Sequence, residues 1–313
     1  MHVTDVGQLV EASRLYYELG ETQSRVAEIL GVTRPQVSRI LKRARAEGIV
    51  EIRIVDKTSE ASAAGEELRR RFGLQAVHVA PTLRGPADVA RRMIGRLGAD
   101  VLRGAIRDGA IVGIGDGSSI SAVADALDEP VHETGATVVP LCGGYWFSGP
   151  AREPFRRVAD AVGGNPQGLL APGLVDDPAT KSSLYAHAGV RRILDLWERL
   201  ELAAFGIGGP AWTAAALGAR TVEALSEAKA VGEVLIAPFD IRGRFVGDEL
   251  RDRTIAFDAR RLDRIPTRIA IAGGSAKAGP ILGALRAGAP TILVTDAGTA
   301  EAVVALDDAE PRA

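Results

Sequence analysis

Four glycine-rich stretches of this sequence could bind a small anionic ligand. They are GIGDGSS at 113–119, GIGG at 206–209, GGSAK at 273–277 and DAGT at 296–299. Each ends or follows a short run of Val, Ile, Leu and Ala, where a parallel strand is expected to give way to a helix. Backbone N–H groups, serine hydroxyls and a lysine cation in such turns can hold a phosphate. A sugar phosphate in a crevice at the carboxyl ends of the strands is therefore the simplest expectation.

Individual turns of this kind also have structural roles, so alternatives remain for several residues. A single glycine turn is more often only a tight connection between a strand and a helix. Asp240 follows the apolar run that ends at Phe239, where its carboxylate could bond a sugar hydroxyl or cap the next turn. Tyr145 and Trp146 could stack on a sugar ring, although aromatic residues more often pack in a core. The predicted effector-binding residues are Gly115, Asp116, Gly117, Ser118, Ser119, Gly208, Gly209, Asp240, Gly273, Gly274 and Lys277.

The same stretches do not predict a cofactor. Ser118 stands where the dinucleotide fingerprint has its third glycine, and no convincing acidic residue stands at the end of a following strand, so a nicotinamide cofactor is not expected. The four histidines are far apart in sequence, and no Cys/His spacing suggests a metal site. The one cysteine, Cys142, is expected to be a buried small side chain, since no histidine lies close enough in sequence to activate it. A single cysteine also excludes an internal disulfide and fits a reducing cytoplasm.

A different chemistry is expected of residues 33–46, which contain four arginines and one lysine but no acid. Because the whole chain has a net charge of only −2, this local basic surface is a specific sign of a nucleic-acid partner. The alternative is a solvated basic helix in a helical bundle. Residues 49–54, which follow Gly48, alternate apolar and polar side chains and predict a short, half-buried strand.

Three short helices are expected to position this basic segment. Apolar residues at helical spacing predict a first helix that stops at Gly20, and Thr22 can cap a second. Gly31 ends the second helix, because glycine readily takes the left-handed conformation found at helix ends. Thr33 caps the third helix, and Gln36 stands three residues later, as in a capping box. Two helices joined by a tight glycine turn predict a helix-turn-helix.

The third helix is expected to have an apolar face and, opposite it, a basic face that enters the major groove. Pro35 falls in its first turn, where the missing N–H costs no helical hydrogen bond. Arg39 is the best candidate for a base contact, because arginine can bond guanine through two hydrogen bonds. Gln36 could act as a cap or as a base reader, and the remaining polar residues are better placed for phosphates. The predicted DNA-binding residues are Thr33, Arg34, Gln36, Ser38, Arg39, Lys42 and Arg43.

The remainder of the chain predicts an α/β domain. The polar segment 56–64 is the expected boundary between a helix-turn-helix domain at 1–56 and an effector-binding and oligomerisation domain at 57–313. Beyond it, short apolar runs alternate with helical segments, as in a mainly parallel, Rossmann-like sheet covered on both faces. These runs lie at 76–79, 111–114, 137–141, 202–207, 233–237, 268–272 and 291–295. The length of 313 residues fits two domains, and no apolar run is long enough to span a membrane. The N-terminal residues have no signal-peptide pattern.

These motifs resemble those of the SorC-type sugar-binding transcriptional regulators (SorC/DeoR superfamily) over nearly the whole chain. The resemblance rests on TQSRVAEILGVTRPQVSRILKRARAEGIVEIRI at 22–54, PLCGG at 140–144, GLVDDP at 173–178, FGIGG at 205–209 and AGGSAKAGPILGAL at 272–285. It implies an N-terminal helix-turn-helix and an effector domain similar in fold to sugar-phosphate isomerases and deaminases. It also implies homodimers or homotetramers on operator DNA that respond to a phosphorylated sugar or a related metabolite.

The resemblance also implies roles for particular residues. Residues 115–119 correspond to the family's phosphate-binding loop, and Gly208-Gly209 to its second glycine turn. Lys277 matches the lysine of its GGxxK segment, and Asp240 falls where the family has an acidic residue near the sugar. The chain departs at 116–119, where Asp-Gly-Ser-Ser replaces the Trp-Gly-Arg-Thr of many members. A carboxylate beside a phosphate costs on the order of 1 kcal/mol or more, so the ligand could be less charged, such as a free polyol, or Asp116 could point away.

The function expected from these features is transcription regulation controlled by a small carbohydrate. One rival is a sugar-phosphate isomerase or deaminase with an accessory DNA-binding head, for which Asp116, Asp240 and Glu249 are candidate bases. Another rival is a redox-sensing regulator that binds a dinucleotide.

Overall fold

The computed structural model describes residues 3–52, 63–81, 87–127, 133–144, 153–210 and 212–310. The chain forms two compact units, Met1–Thr58 and Ser59–Ala313. Most of the segment expected to link two domains, together with Tyr145 and Trp146, lies outside the described residues.

Three helices form the first unit, and they enclose a small apolar core. They are α1 (Val3–Ser13), α2 (Gln23–Leu30) and α3 (Arg34–Ala46). The buried residues of this core are Ala12, Val26, Ala27, Val37 and Leu41. Val37 and Leu41 are one helical turn apart, so α3 turns one face inward and leaves the opposite face to solvent.

Two details of this unit differ from the sequence-based prediction. The first helix does not continue regularly to Gly20, because a π-helical turn, Arg14–Glu18, follows α1. The buried Ser13 hydroxyl donates to the Leu9 carbonyl oxygen at 2.6 Å, and such bonds compete with the regular helical ladder. Residues 49–52 also form no strand, and 53–54 lie outside the described residues. The N–H groups of Ile49 and Val50 instead donate to the Ala44 carbonyl at 2.9 and 3.2 Å, which closes the end of α3.

The second unit alternates strands and helices, as the sequence predicted. Its described strands are β1 (Ala76–Ala80), β2 (Ile111–Ile114), β3 (Thr137–Pro140), β4 (Asn165–Pro166), β5 (Leu202–Gly206), β6 (Ala230–Val234), β7 (Ala237–Asp240), β8 (Thr267–Ile271) and β9 (Ile292–Asp296). Its described α-helices are α4 (Ala63–Phe72), α5 (Ala87–Ala105), α6 (Ser118–Ala126), α7 (Pro154–Ala161), α8 (Pro178–Ala186), α9 (Ala188–Trp197), α10 (Ala214–Leu217), α11 (Ala219–Glu227), α12 (Asp248–Arg251), α13 (Ala278–Arg286) and α14 (Ala297–Ala309). Short 3-10 helices cover Ala259–Arg264 and Ser275–Lys277.

Seven of these strands form one parallel sheet in the order β1-β9-β8-β5-β2-β3-β4. The chain proceeds from β2 outward to β3 and β4, and then returns to β5 on the other side of β2. This reversal places a topological switch point between β2 and β5, where open α/β sheets have a crevice for ligands. The prediction of a mainly parallel α/β domain is confirmed.

Apolar side chains are buried on both faces of this sheet. Ala203 and Phe205 belong to one core cluster, whereas their neighbours Leu202 and Ala204 belong to the other. Successive residues of a strand point to opposite faces, so the four consecutive positions 202–205 of β5 all carry apolar side chains. This explains why the strands are short continuous apolar runs rather than alternating patterns.

One predicted strand takes a different place. Residues 233–237 do not join the main sheet, because β6 and β7 form a separate antiparallel hairpin. Leu235 and Ile236 connect the two strands with positive φ angles of 51° and 62°. Two-residue hairpin turns commonly need positive φ at both central positions. The two-residue edge strand β4 was not predicted, since it is too short to give a pattern.

Candidate functional site

The turn between α2 and α3 has the predicted geometry. Thr22 caps α2 by accepting a hydrogen bond from the Arg25 N–H at 3.2 Å. Gly31 ends this helix with a φ of 64°, in the left-handed region that glycine enters without steric cost. The next residue, Val32, donates its N–H to the Ala27 carbonyl at 3.0 Å, and α3 begins after Thr33. The two helices are therefore joined within three residues, as in a helix-turn-helix.

The start of α3 shows which role Gln36 takes in this structure. Its side-chain oxygen accepts hydrogen bonds from the Thr33 N–H at 2.7 Å and from the Thr33 hydroxyl at 2.8 Å. Pro35 lies in the first turn, where no helical N–H is required. The polar end of Gln36 therefore caps α3, and this arrangement favours the capping role over base reading.

The outer face of α3 presents cations to solvent. Arg34, Ser38, Arg39 and Lys42 are exposed, while Arg43 is half-buried and pairs with Glu47. The Arg39 Nε donates to the Pro35 carbonyl at 3.5 Å, so the side chain lies along the exposed face of the helix. Exposure of these cations is the condition for contact with DNA bases and phosphates, and the structure meets it.

A pocket of about 430 Å³ lies in the second unit at the switch point between β2 and β5. This volume is within the usual range of small-molecule sites. Its walls come from the loops after β2, β3 and β5, from the β6–β7 hairpin and from the residue before α13. The lining residues are Asp116, Gly117, Ser118, Ser119, Ser121, Cys142, Phe205, Gly206, Ile207, Gly208, Glu233, Leu235, Ile236 and Lys277.

The loop after β2 brings a carboxylate to the start of a helix. Gly117 has a φ of 106°, and its N–H donates to Oδ1 of Asp116 at 2.7 Å. The chain then enters α6, whose first residues Ser118 and Ser119 line the pocket. A helix N-terminus attracts negative charge. In this loop that charge is supplied by the side chain of Asp116.

The loop after β5 is held against the β6–β7 hairpin. Gly208 donates its N–H to the Glu233 carbonyl at 2.9 Å and accepts from the Glu233 N–H at 3.1 Å. A Cβ at position 208 would lie 2.7 Å from Cγ of Glu233, so a larger residue there would displace the Glu233 side chain. The Glu233 side chain turns into the pocket, where Oε2 accepts from Trp212 Nε1 at 3.4 Å. Burial raises the pKa of Glu233, while the Trp212 hydrogen bond and the charge of Lys277 oppose this shift.

Lys277 closes another side of the pocket. Its Nζ donates to the Ile207 carbonyl at 2.8 Å, which ties the segment before α13 to the loop after β5. Burial lowers the pKa of Lys277 and the positive charge of Arg91 lowers it further, whereas the charge of Glu233 raises it. Lys277 therefore lines the pocket, but part of its hydrogen-bonding capacity is already used.

Cys142 lines the same pocket from the loop after β3. Its side chain is buried, and burial together with the charges of Asp116 and Glu233 raises the pKa of the thiol to about 12. A thiol with this pKa stays protonated at neutral pH and is a poor nucleophile.

Five of the predicted effector-binding residues do not line the pocket: Gly115, Gly209, Asp240, Gly273 and Gly274. The structure favours the capping role for Asp240, because its carboxylate accepts hydrogen bonds in the turn after β7. Oδ1 accepts from the N–H groups of Arg242 and Arg244 at 3.0 Å each, and Oδ2 accepts from Arg244 Nε at 2.8 Å. The Gly274 N–H is also occupied, since it donates to Asp296 Oδ2 and Thr299 Oγ1 at 2.8 Å each.

The residues contributed by the β6–β7 hairpin were less evident from sequence patterns. The sequence predicts Glu233 only as part of a strand. A charged residue within an apolar run was the signal from which a role in the pocket could have been predicted. Leu235 and Ile236 are buried and line the pocket despite their positive φ angles. Such backbone conformations cost on the order of 1–3 kcal/mol each, and the two-residue turn of the hairpin requires them here.

Within the described residues, no group of three or more His, Cys, Asp and Glu side chains is arranged to hold a metal ion. No helix in this part of the chain is long and apolar enough to cross a membrane.

A DNA-binding helix-turn-helix and an α/β ligand-binding domain on one chain define the class of ligand-responsive transcription regulators. Comparison with known proteins supports this class for both parts of the chain. Residues 56–305 match the family described as "Putative sugar-binding domain", and residues 8–51 match a homeodomain-like domain. The chain belongs to the SorC-type family of sugar-binding transcriptional regulators.

Individual relatives are similar over nearly their full length. The deoxyribonucleoside regulator of Bacillus subtilis is 31% identical over 302 residues, which cover 94% of this chain and 96% of the relative. The sorbitol operon regulator of Klebsiella pneumoniae is 28% identical over 309 residues, covering 95% and 97%. The crystal structure of the full-length Klebsiella pneumoniae SorC superposes with a TM-score of 0.79 at 26% identity, covering 96% of this chain and 99% of that one.

Proposed function

We propose that this protein is a transcriptional regulator whose binding to operator DNA is controlled by a small carbohydrate in the pocket at 116–121, 205–208 and 233–236. The observation that carries the proposal is the exposed basic face of α3, which is supported from behind by the buried residues Val37 and Leu41. Arg39 and Lys42 point away from the core and can enter a groove without disturbing the fold.

The relatives support the carbohydrate part of the proposal. Those named above are regulators of deoxyribonucleosides and of a sorbitol operon, and a further relative, 28% identical, is the erythritol catabolism regulator EryD of Brucella abortus. Erythritol and sorbitol are polyols, and the sugar of a deoxyribonucleoside also carries free hydroxyl groups. A pocket of about 430 Å³ that contains serines, carboxylates and a lysine suits this chemistry.

The proposed mechanism couples ligand binding to DNA affinity. A homodimer or homotetramer would place paired helix-turn-helix units on a pseudo-palindromic operator, with half-sites about 34 Å or a multiple of that distance apart. A ligand can change DNA affinity only through its different affinity for the DNA-bound and DNA-free arrangements. Because operator DNA is the partner, the cytoplasm is the proposed place of action.

Fluorescence anisotropy with DNA flanking the protein's own gene, compared with scrambled DNA at the same salt concentration, tests this function. We expect preference for the flanking DNA, and Arg39→Ala should reduce the preference by about 1–3 kcal/mol. Lys42→Ala should instead weaken binding to all sequences and reduce the salt dependence. Arg45→Ala is the matched control, since it removes the same charge from an exposed position on α3 outside the predicted set. Equal affinity of the wild type for both DNAs would contradict operator recognition.

The enzyme alternative has weaker support from the geometry. Of its three candidate bases, only Asp116 lines the pocket, since Asp240 caps a turn and Glu249 is exposed on α12. General acid–base catalysis needs a base and an acid positioned around one substrate. Turnover of pentose or hexose phosphates by the purified protein would favour the enzyme, and we expect none.

A further inference from the structure

The charges that line the pocket indicate which ligands it accepts. Asp116, Glu233 and Lys277 are the ionisable acidic and basic side chains among the described lining residues, so acids outnumber bases. Arg91 acts electrostatically on Lys277, but it is exposed and does not line the pocket. A phosphate monoester carries about 1.5 to 2 negative charges at neutral pH. It would therefore meet two carboxylates and a single ammonium group.

Neither of the usual phosphate-binding elements in this pocket is fully available. The Lys277 ammonium donates to the Ile207 carbonyl and lies close enough to Glu233 for their charges to interact. At the start of α6, the Gly117 N–H is bonded to the Asp116 carboxylate at 2.7 Å. The negative charge of Asp116 thus occupies the position at the helix start that would otherwise attract a phosphate. A phosphate bound next to it would be repelled, and the more so because the pocket is partly shielded from water.

The same groups are well suited to hydroxyls. An ionised carboxylate has two oxygens, which can accept hydrogen bonds from neighbouring hydroxyl groups of one ligand. Ser118, Ser119 and Ser121 can both donate and accept, and Lys277 can donate. Phe205, Leu235 and Ile236 supply an apolar wall for C–H groups. We propose that this pocket binds an uncharged polyhydroxylated ligand, a polyol or a free sugar, and discriminates against phosphate esters through Asp116 and Glu233. This ligand class rests on the proposed function.

The test measures binding by the full-length protein, through thermal shift and calorimetry. The probes are erythritol, xylitol, sorbitol, ribose and glucose, a phosphate ester of each, and the cationic sugar glucosamine. We expect at least one uncharged probe to raise the melting temperature, because a ligand that binds only the folded state stabilises it. Its phosphate ester should bind at least about tenfold more weakly.

Variants assign the discrimination to the two carboxylates. Asp116→Asn and Glu233→Gln each keep a similar shape but remove one negative charge, so both should narrow the preference for the uncharged probe over its ester. Asp195→Asn on α9 and Glu223→Gln on α11 remove the same charge from positions outside the pocket, and should leave the preference unchanged. The two pocket variants are independent, so a folding failure in one still leaves the other to decide.

Three results would overturn the ligand class. In the first, the wild type binds the phosphate esters more tightly than the uncharged probes. In the second, glucosamine is the one probe that binds. In the third, no probe changes the melting temperature. Specific operator binding in the same preparation would show in each case that the DNA-binding part of the proposed function survives. Conversely, preference for an uncharged probe without specific DNA binding would reject the function and leave the ligand class in place.

Discussion

Three aspartates at strand ends show how one residue type takes different roles. Asp116 lies two residues after β2 and lines the pocket, whereas Asp240 at the end of β7 caps a turn. Asp296 at the end of β9 accepts from the Thr299 N–H at 3.0 Å and caps α14. Their sequence surroundings are alike, and their hydrogen-bond partners distinguish them. A strand-end carboxylate is therefore a candidate ligand contact only when no nearby backbone N–H groups occupy it fully.

The capping role of Asp240 predicts an effect on stability. Asp240→Ala removes the acceptor of two backbone N–H groups and the partner of Arg244, which should cost about 1–3 kcal/mol of unfolding free energy. Asp240→Asn keeps an oxygen acceptor and should cost less. Urea unfolding of both variants measures the difference. Loss of ligand affinity in Asp240→Ala at unchanged stability would instead return Asp240 to the ligand site.

Glu233 predicts a dependence of stability on pH. Burial raises its pKa in the folded state above the ordinary value of 4.5, so the folded protein binds a proton more tightly than the unfolded chain. This contribution to stability is fully present below pH 4.5 and is lost as the pH rises through the folded-state pKa. Glu233→Gln should therefore gain stability over the wild type as the pH rises from 4.5 towards neutrality. Melting temperatures over this range measure the gain.

Glu223→Gln is the control, because it makes the same substitution at an exposed position on α11 outside the pocket. If the difference in melting temperature between Glu233→Gln and the wild type stayed constant over this pH range, Glu233 would not be desolvated in the folded protein.

At the scale of elements, the turn between α2 and α3 depends on one backbone conformation. The left-handed φ of Gly31 allows α3 to start within three residues, and it fixes the direction from which the basic face is presented. A residue with a Cβ is less stable in this conformation by about 1–2 kcal/mol. The helix-turn-helix therefore has a weak point that local sequence alone identifies.

Gly31→Ala should destabilise α2 and α3 by about that amount and weaken operator binding. Gly7→Ala is the matched control, since Gly7 lies within α1 and an added Cβ there would meet no atom within 4 Å. Alanine should stabilise the helix at this position by about 0.5–1 kcal/mol. Amide hydrogen exchange of α2 and α3 measures both changes. Faster exchange in Gly7→Ala, or no change in Gly31→Ala, would contradict this role of the turn.

At the scale of the whole molecule, the proposed function requires energetic coupling between DNA and ligand. If the ligand changes the affinity for operator DNA by some factor, operator DNA must change the affinity for the ligand by the same factor. Two ratios should therefore be equal. The first is the affinity for DNA with saturating ligand divided by that without ligand, and the second is the affinity for the ligand with saturating DNA divided by that without DNA. A ligand that binds the pocket without changing DNA affinity would show that the pocket does not control the regulator.

The helices of the first unit, the α/β class of the second and most strand positions were determined by the sequence itself. These features depend on local patterns: caps such as Thr22, the Gly31 turn and the apolar periods of helices and strands. The resemblance to SorC-type regulators came from the same motifs, and it is confirmed by the relatives. Local physics is sufficient here because each signal involves residues only a few positions apart.

Only the tertiary structure decided which of these motifs meet in one pocket. The pocket exists because β5 returns beside β2, a pairing between residues about ninety positions apart, such as Gly113 and Ala203. Asp240 had two roles that its local sequence allowed, and the structure shows it capping N–H groups two and four residues away. The pairing of Gly208 with Glu233, which brings Glu233 to the pocket, joins residues 25 positions apart. Such contacts join segments whose separate sequences contain no sign of one another, so spacing along the chain cannot predict them.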